Sequence, residues 1–196
     1  ADIGMLKMDF LGLNTLTILD TAAKFIKQNH NIDNDFSSIP LDDKAAFKLI
    51  WEGKTFGLFQ LESGGMTDLG QKLRPDCIED LIAQLSLYRP GPLGSGMVER
   101  FIRRKHRQEE TTYLHPMLEP ILKETYGGIL YQEQAMHIVN KMAGFSLVEA
   151  DNLRKAMSKK NAEKMAKYTQ QFIDGAVKNK VSTEVGQKTF EEIQYF

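Results

Sequence analysis

IGMLKMDFLGLNTLTILD, residues 3–20, changes its apolar period half-way along. Up to Phe10 the large apolar side chains Leu6, Met8 and Phe10 fall on every second position, the repeat of a strand whose side chains alternate faces. Beyond it the interval lengthens, and Leu13, Leu16, Leu19, Ala23 and Ile26 line one side of a helix. This change decides the fold class. It predicts a mainly α chain, α+β overall, in which a short N-terminal strand precedes many helices. On that strand Lys7 and Asp9 share the face opposite Leu6, Met8 and Phe10, with Cα atoms about 7 Å apart. That is too far for a good ion pair but suits two groups addressing one ligand. An edge strand with a solvated outer face explains the same charges.

Outward from this stretch the signals are helical. PLDDKAAFKLIWEG reads as a short helix with Asp42 as N-cap and Gly53 just past its end. TFGLFQLES fits a strand or a buried connector equally. Ser63 is placed to cap MTDLGQKL, and Asp76 with Glu79 resembles a capping box for CIEDLIAQLSLY. RPGPLGSG, residues 89–96, reads as loop because of its prolines and glycines. Helices follow in MVERFIRRKHR, HPMLEPILKETY, YQEQAMHIVNKMAGF, SLVEADNLRKAMSKK, NAEKMAKYTQQFIDGAVKNK and STEVGQKTFEEIQYF. Ser146 and Glu149 form an S-x-x-E capping box, and Asn161 and Ser182 are further N-cap candidates. The chain opens in an apparent strand and closes in an uncapped helix, which suggests a piece of something longer.

Composition narrows the function classes. Twenty-five Lys plus Arg stand against 26 Asp plus Glu in 196 residues, so any attraction for a polyanion must come from local clustering. A single cysteine excludes an internal disulfide framework and a thiolate-rich zinc site, and the four histidines are not at metal-ligand spacing. There is no membrane span, no signal-peptide layout, no P-loop and no nucleophile elbow. Cys77 and the methionines at 136, 142, 157 and 165 read as packing residues.

Three places combine basic and small residues in ways a packed core does not require. On a helix, Arg100, Arg103, Arg104 and Arg107 share one face, which suits a polyanion or a solvated surface neutralised by Glu109 and Glu110. In LRKAMSKK, Arg154 and Ser158 are four apart, as are Lys155 and Lys159, so one side offers guanidinium, ammonium and hydroxyl groups to a triphosphate, and Lys159 and Lys160 at its basic end also suit DNA phosphates. Cations near a helix C-terminus also simply complement its dipole. YRPGPLGSG sets Arg89 beside glycines that permit close backbone approach to a ligand.

Taken together, LKMDFLGLNTLTILD, FGLFQLESGGM, LYRPGPLGSGMVERFIRRKH, LEPILKETYGGILYQEQAM and GFSLVEADNLRKAMSKK closely resemble the bacterial DNA polymerase III alpha subunits, the family C replicative polymerases. The resemblance runs through essentially the whole chain and implies a middle section of a longer protein. Residues 1–15 correspond to the C-terminal piece of the palm, and 16–196 to a helical fingers domain truncated at its end. In this family Asp9 is the third of three catalytic carboxylates that hold two Mg²⁺ ions, and Lys7 lies near the phosphates of the incoming nucleotide. Arg154 and Lys155 occupy the basic pair that grips the triphosphate. Lys155 replaces an arginine of the family's R-R-A-M-G-K-K motif, losing the bidentate fork, and Ser158 replaces its glycine. Arg89 is implied as a nucleotide or template contact. Primer-template DNA and dNTP are the implied substrates, in a bacterial cytoplasm. The sliding clamp, proofreading exonuclease and clamp loader are implied partners through regions outside this chain. The upstream carboxylates are not among these residues, so the chain alone is expected neither to retain Mg²⁺ nor to polymerise. Apart from the resemblance, the basic residues also fit a non-catalytic helical nucleic-acid-binding module or an interaction scaffold.

Overall fold

The computed structural model describes residues 4, 5, 7–158 and 162–195. No strand forms among them, and Lys7 to Leu13 is irregular backbone. The expected β fragment is thus not seen among the described residues, whose fold is α. Alternation selects a face only where a neighbouring strand completes a hydrogen-bonded ladder, and no described segment pairs with this one. Helix α1 (Asn14–His30) forms where the period lengthens, but its apolar stripe meets no core. Every described residue ahead of Phe47 remains at least partly exposed.

The buried structure begins with α2 (Lys44–Trp51), followed by α3 (Gly64–Leu73), α4 (Ile78–Leu87), α5 (Pro90–Gly94) and α6 (Met97–Lys105). The N-cap of α2 is Asp43 rather than Asp42, its carboxylate accepting from the Ala45 N–H. Helix α4 starts from Cys77. Asp80, not Glu79, reaches back to accept from the Asp76 N–H. Where residues 89–96 read as loop, Pro90–Gly94 closes a helical turn, because both prolines occupy its first turn, where their missing N–H groups have no intrahelical partner. TFGLFQLES is neither strand nor buried connector but a run of turns, with Phe56 projecting into solvent.

HPMLEPILKETY is not one helix. It divides into a 3₁₀ turn at Pro116–Leu118, α7 (Glu119–Leu122) and a second 3₁₀ turn at Lys123–Thr125. Four longer helices follow: α8 (Gln132–Ala143), α9 (Leu147–Ser158), α10 (Ala162–Lys178) and α11 (Thr183–Tyr195). Helix α10 lies against α8, α9 and α11. At the α8 crossing a Cβ on Gly175 would overlap the Ala143 carbonyl, so only glycine allows the two backbones to approach this closely.

Two cores result. Leu69, Leu73, Ala83, Leu87, Val98, Phe101 and Leu130 fill the first. The second collects Ile138, Val139 and Met142 of α8 around Phe145, Phe172 and Phe190, with Phe172 and Phe190 centroids 5.1 Å apart. The adjacent residues Ile129 and Leu130 enter different cores. Gln134 fixes that crossover. Its Oε1 accepts from the N–H groups of Leu130 (2.8 Å) and Tyr131 (3.0 Å), and its Nε2 donates to Ile121 O (3.2 Å) and Thr125 Oγ1 (2.8 Å).

Candidate functional site

Helix α9 is started by the capping box read from sequence. The Ser146 N–H and hydroxyl both donate to Glu149 Oε2, and the Glu149 N–H donates to Ser146 Oγ at 3.2 Å. One and two turns on, Asp151, Arg154 and Lys155 share a side. Arg154 Nε and Nη2 donate to Asp151 Oδ1 at 3.0 and 2.8 Å, and Lys155 Nζ lies 2.6 Å from Asp151 Oδ2. Hydrogen bonds from Lys155, then from Arg154, hold the Asp151 carboxyl below its usual range. Among its contacts Arg154 also reaches Gln132 Oε1 at the start of α8, 3.4 Å away. Lys159 and Lys160 lie outside the described residues.

Gln132 follows Tyr131, whose ring packs against the first core. Burial pushes the Tyr131 hydroxyl up to about 12. Tyr88, the C-cap of α4, lies across the first turn of α3. A Cβ at Gly65 would overlap its hydroxyl. The LESGGM and LYRPGPL segments therefore meet there, and Arg89 stands exposed as the residue that opens α5.

The arginines of α6 divide. Because α6 ends at Lys105 and Arg107 adopts a positive φ of 58°, Arg107 leaves the helical stripe that sequence placed it on. Arg103 Nε and Arg104 Nε donate to opposite oxygens of Glu109, each at 2.9 Å, so half of the neutralisation foreseen for this face is realised by one carboxylate. Arg104 also donates to the Tyr126 carbonyl at 2.8 Å and is mostly buried. It holds the Tyr126–Gly128 loop. Arg100 and Arg107 remain exposed. Beside Arg100 a cavity of about 420 Å³ is lined by Arg100, Arg104, Lys188, Glu191 and Glu192 over Phe101 and Ile129.

Lys7 Nζ lies 3.4 Å from Asp9 Oδ1, with both side chains largely exposed. Strand spacing was expected to hold the two heads too far apart for a good ion pair; on this irregular backbone they come within ion-pair distance. The one three-residue His, Cys and carboxylate cluster among the described residues is Asp76, Cys77 and Asp80. It is not a metal site. Lys105 Nζ sits 2.9 Å from Asp76 and 2.6 Å from Asp80, where a cation would go. Burial draws the Lys105 ammonium down, but its hydrogen bonds to Asp80 and Asp76 leave it above the usual lysine value. Burial pushes the Cys77 thiol up to about 11, so it stays protonated.

Comparison with known proteins adds the missing frame. The profile of the bacterial DNA polymerase III alpha subunit finger domain matches residues 15–180. This chain belongs to that family. Over 195 residues it is 51% identical to the DNA polymerase III subunit alpha of Aquifex aeolicus, covering 100% of the chain and 17% of that relative. It is 48% identical to the Escherichia coli K12 subunit over 98% of the chain and 17% of that protein. The Helicobacter pylori J99 subunit is 52% identical over 89% of the chain. This finger-domain member therefore spans about a sixth of its relatives' length. Lys7 and Asp9 precede the matched finger region, whereas Arg89, Arg154 and Lys155 fall inside it.

Sequence reasoning missed Asp151 and Gln132, which hold Arg154. The i, i+3, i+4 spacing of Asp151 from the basic pair was a legible signal. The Gln132 contact spans 22 residues and has no local signal.

Proposed function

We propose that this chain is the fingers region of a replicative DNA-directed DNA polymerase, with the last piece of the palm at residues 1–15. Its relatives are DNA polymerase III alpha subunits, and the start of the finger match at residue 15 supports that boundary. The observation that carries the nucleotide assignment is the convergence of Arg154 and Lys155 on one carboxylate. Two cationic head groups that meet one small anionic group in the free chain can meet phosphate oxygens in the same way. Lys155 brings charge without a fork, so Arg154 carries the oriented contact. Arg89 faces the nucleotide or template from the start of α5. Arg100, Arg103 and Arg107, with Lys159 and Lys160, are assigned to DNA phosphates, while Arg104 acts through the loop it holds.

Asp9 is assigned as one of the catalytic carboxylates and Lys7 as its neighbour on the nucleotide. The described residues do not by themselves fit a two-Mg²⁺ site. Mg²⁺ takes octahedral oxygen ligands, and a single exposed carboxylate already paired with lysine supplies too few. The rest of the metal site, and the contacts to sliding clamp, exonuclease and clamp loader, belong to the remainder of the polymerase, acting in the bacterial cytoplasm. No described helix is long and apolar enough to cross a membrane. In the complete subunit, Asp9→Ala abolishes dNTP incorporation while primer-template binding persists. Undiminished synthesis by that variant overturns the assignment.

A further inference from the structure

The basic pair of α9 is not presented bare. We infer that Asp151 is an internal stand-in for the phosphate, a positioning residue that holds Arg154 and Lys155 together and must be displaced when a polyphosphate binds. This inference rests on the proposed nucleotide reading of that pair.

Both oxygens of Asp151 are engaged, Oδ1 by Nε and Nη2 of Arg154 and Oδ2 by Nζ of Lys155, at 2.6 to 3.0 Å. The carboxylate therefore does what a phosphate group would do: it draws a fork and a point charge to one place. It also lowers the local charge, leaving a trio of net +1 where the bare pair has +2. A monovalent or weakly charged anion gains little by replacing a carboxylate already covalently in place. A triphosphate offers more charge and more oxygens, and can compete. The ion pairs are on the solvent-facing side of α9, with Asp151 34% exposed, so breaking them costs little and the exchange is reversible. Gln132 keeps hold of Arg154 from α8, so the guanidinium does not swing away when Asp151 lets go.

The test is calorimetric titration of the chain with inorganic tripolyphosphate and, separately, with inorganic monophosphate. Asp151→Asn keeps the shape and removes the charge. It binds tripolyphosphate roughly three- to ten-fold more tightly than wild type, with a smaller preference over monophosphate. Asp151→Glu, which restores a carboxylate within reach, returns the affinity toward the wild-type value. A residue that only supports the helix would give weaker binding in the Asn variant, not tighter. Arg154→Ala separates the two levels. If it weakens binding while Asp151→Asn leaves it unchanged or weakens it, the stand-in role is wrong and the grip stands. If Arg154→Ala binds as wild type does, or if no variant binds tripolyphosphate, the grip itself is wrong and the inference falls with it.

Discussion

At the scale of the residue, the account depends on side chains that hold more than one element. Gln134 uses both ends of its amide on four backbone or hydroxyl partners at the crossover between the cores. Replacing it by leucine leaves the Leu130 and Tyr131 N–H groups buried without partners. We expect a loss of about 2–5 kcal/mol in urea unfolding. The Lys105–Asp80 pair, with side chains 7% and 6% exposed, ties α6 to α4. Lys105→Met strands Asp80 and should cost about 3–5 kcal/mol, whereas the double variant with Asp80→Leu should recover much of it. The pH dependence has a definite sign. Asp76, held below its usual value by its hydrogen bonds to Asp80 and Lys105, contributes stability above pH 3.8 that is lost as pH falls through its lowered value. Lys105, held above 10.5, contributes stability below that value that is lost as pH rises past it. Unfolding measured from pH 5 to 9 should therefore show no transition from this cluster.

At the scale of the element, the helices that were legible in the sequence are those with their own signals. The Ser146–Glu149 box and the apolar period of α8 identified their helices without help from elsewhere. What was not legible depended on partners distant in the chain. Nothing near Arg104 says that it will meet the carbonyl of Tyr126, and nothing near Lys105 points to Asp80. The N-terminal strand is not seen among the described residues for the same reason in reverse: alternation is a local signal, but a ladder needs a second segment. Among candidate site residues the basic pair of α9 was read from spacing and resemblance, while its pairing with Asp151 was a matter of the i, i+3 and i+4 spacing. The α8–α10 crossing gives an element-scale prediction. Gly175→Ala forces a methyl into the Ala143 carbonyl and should lower the melting temperature by several degrees, equivalent to about 1–3 kcal/mol, with α8 and α10 losing amide protection first.

At the scale of the whole molecule, the buried structure starts at Phe47, and the apolar side chains of α1 stay at least partly exposed. Removing residues 1–42 should therefore leave the urea midpoint of the remaining bundle essentially unchanged. A large fall would show that α1 is packed more firmly than its exposure indicates. The two-core body beyond it carries the basic pair proposed to meet the nucleotide, on α9, with Gln132 of α8 reaching Arg154. The most direct test of this arrangement is single-turnover incorporation by the complete polymerase subunit carrying Arg154→Ala. The account predicts that the apparent Kd for dNTP rises about ten-fold or more while primer-template affinity is nearly unchanged. Unchanged dNTP affinity with weakened DNA binding would contradict it, and would make α9 a nucleic-acid surface instead.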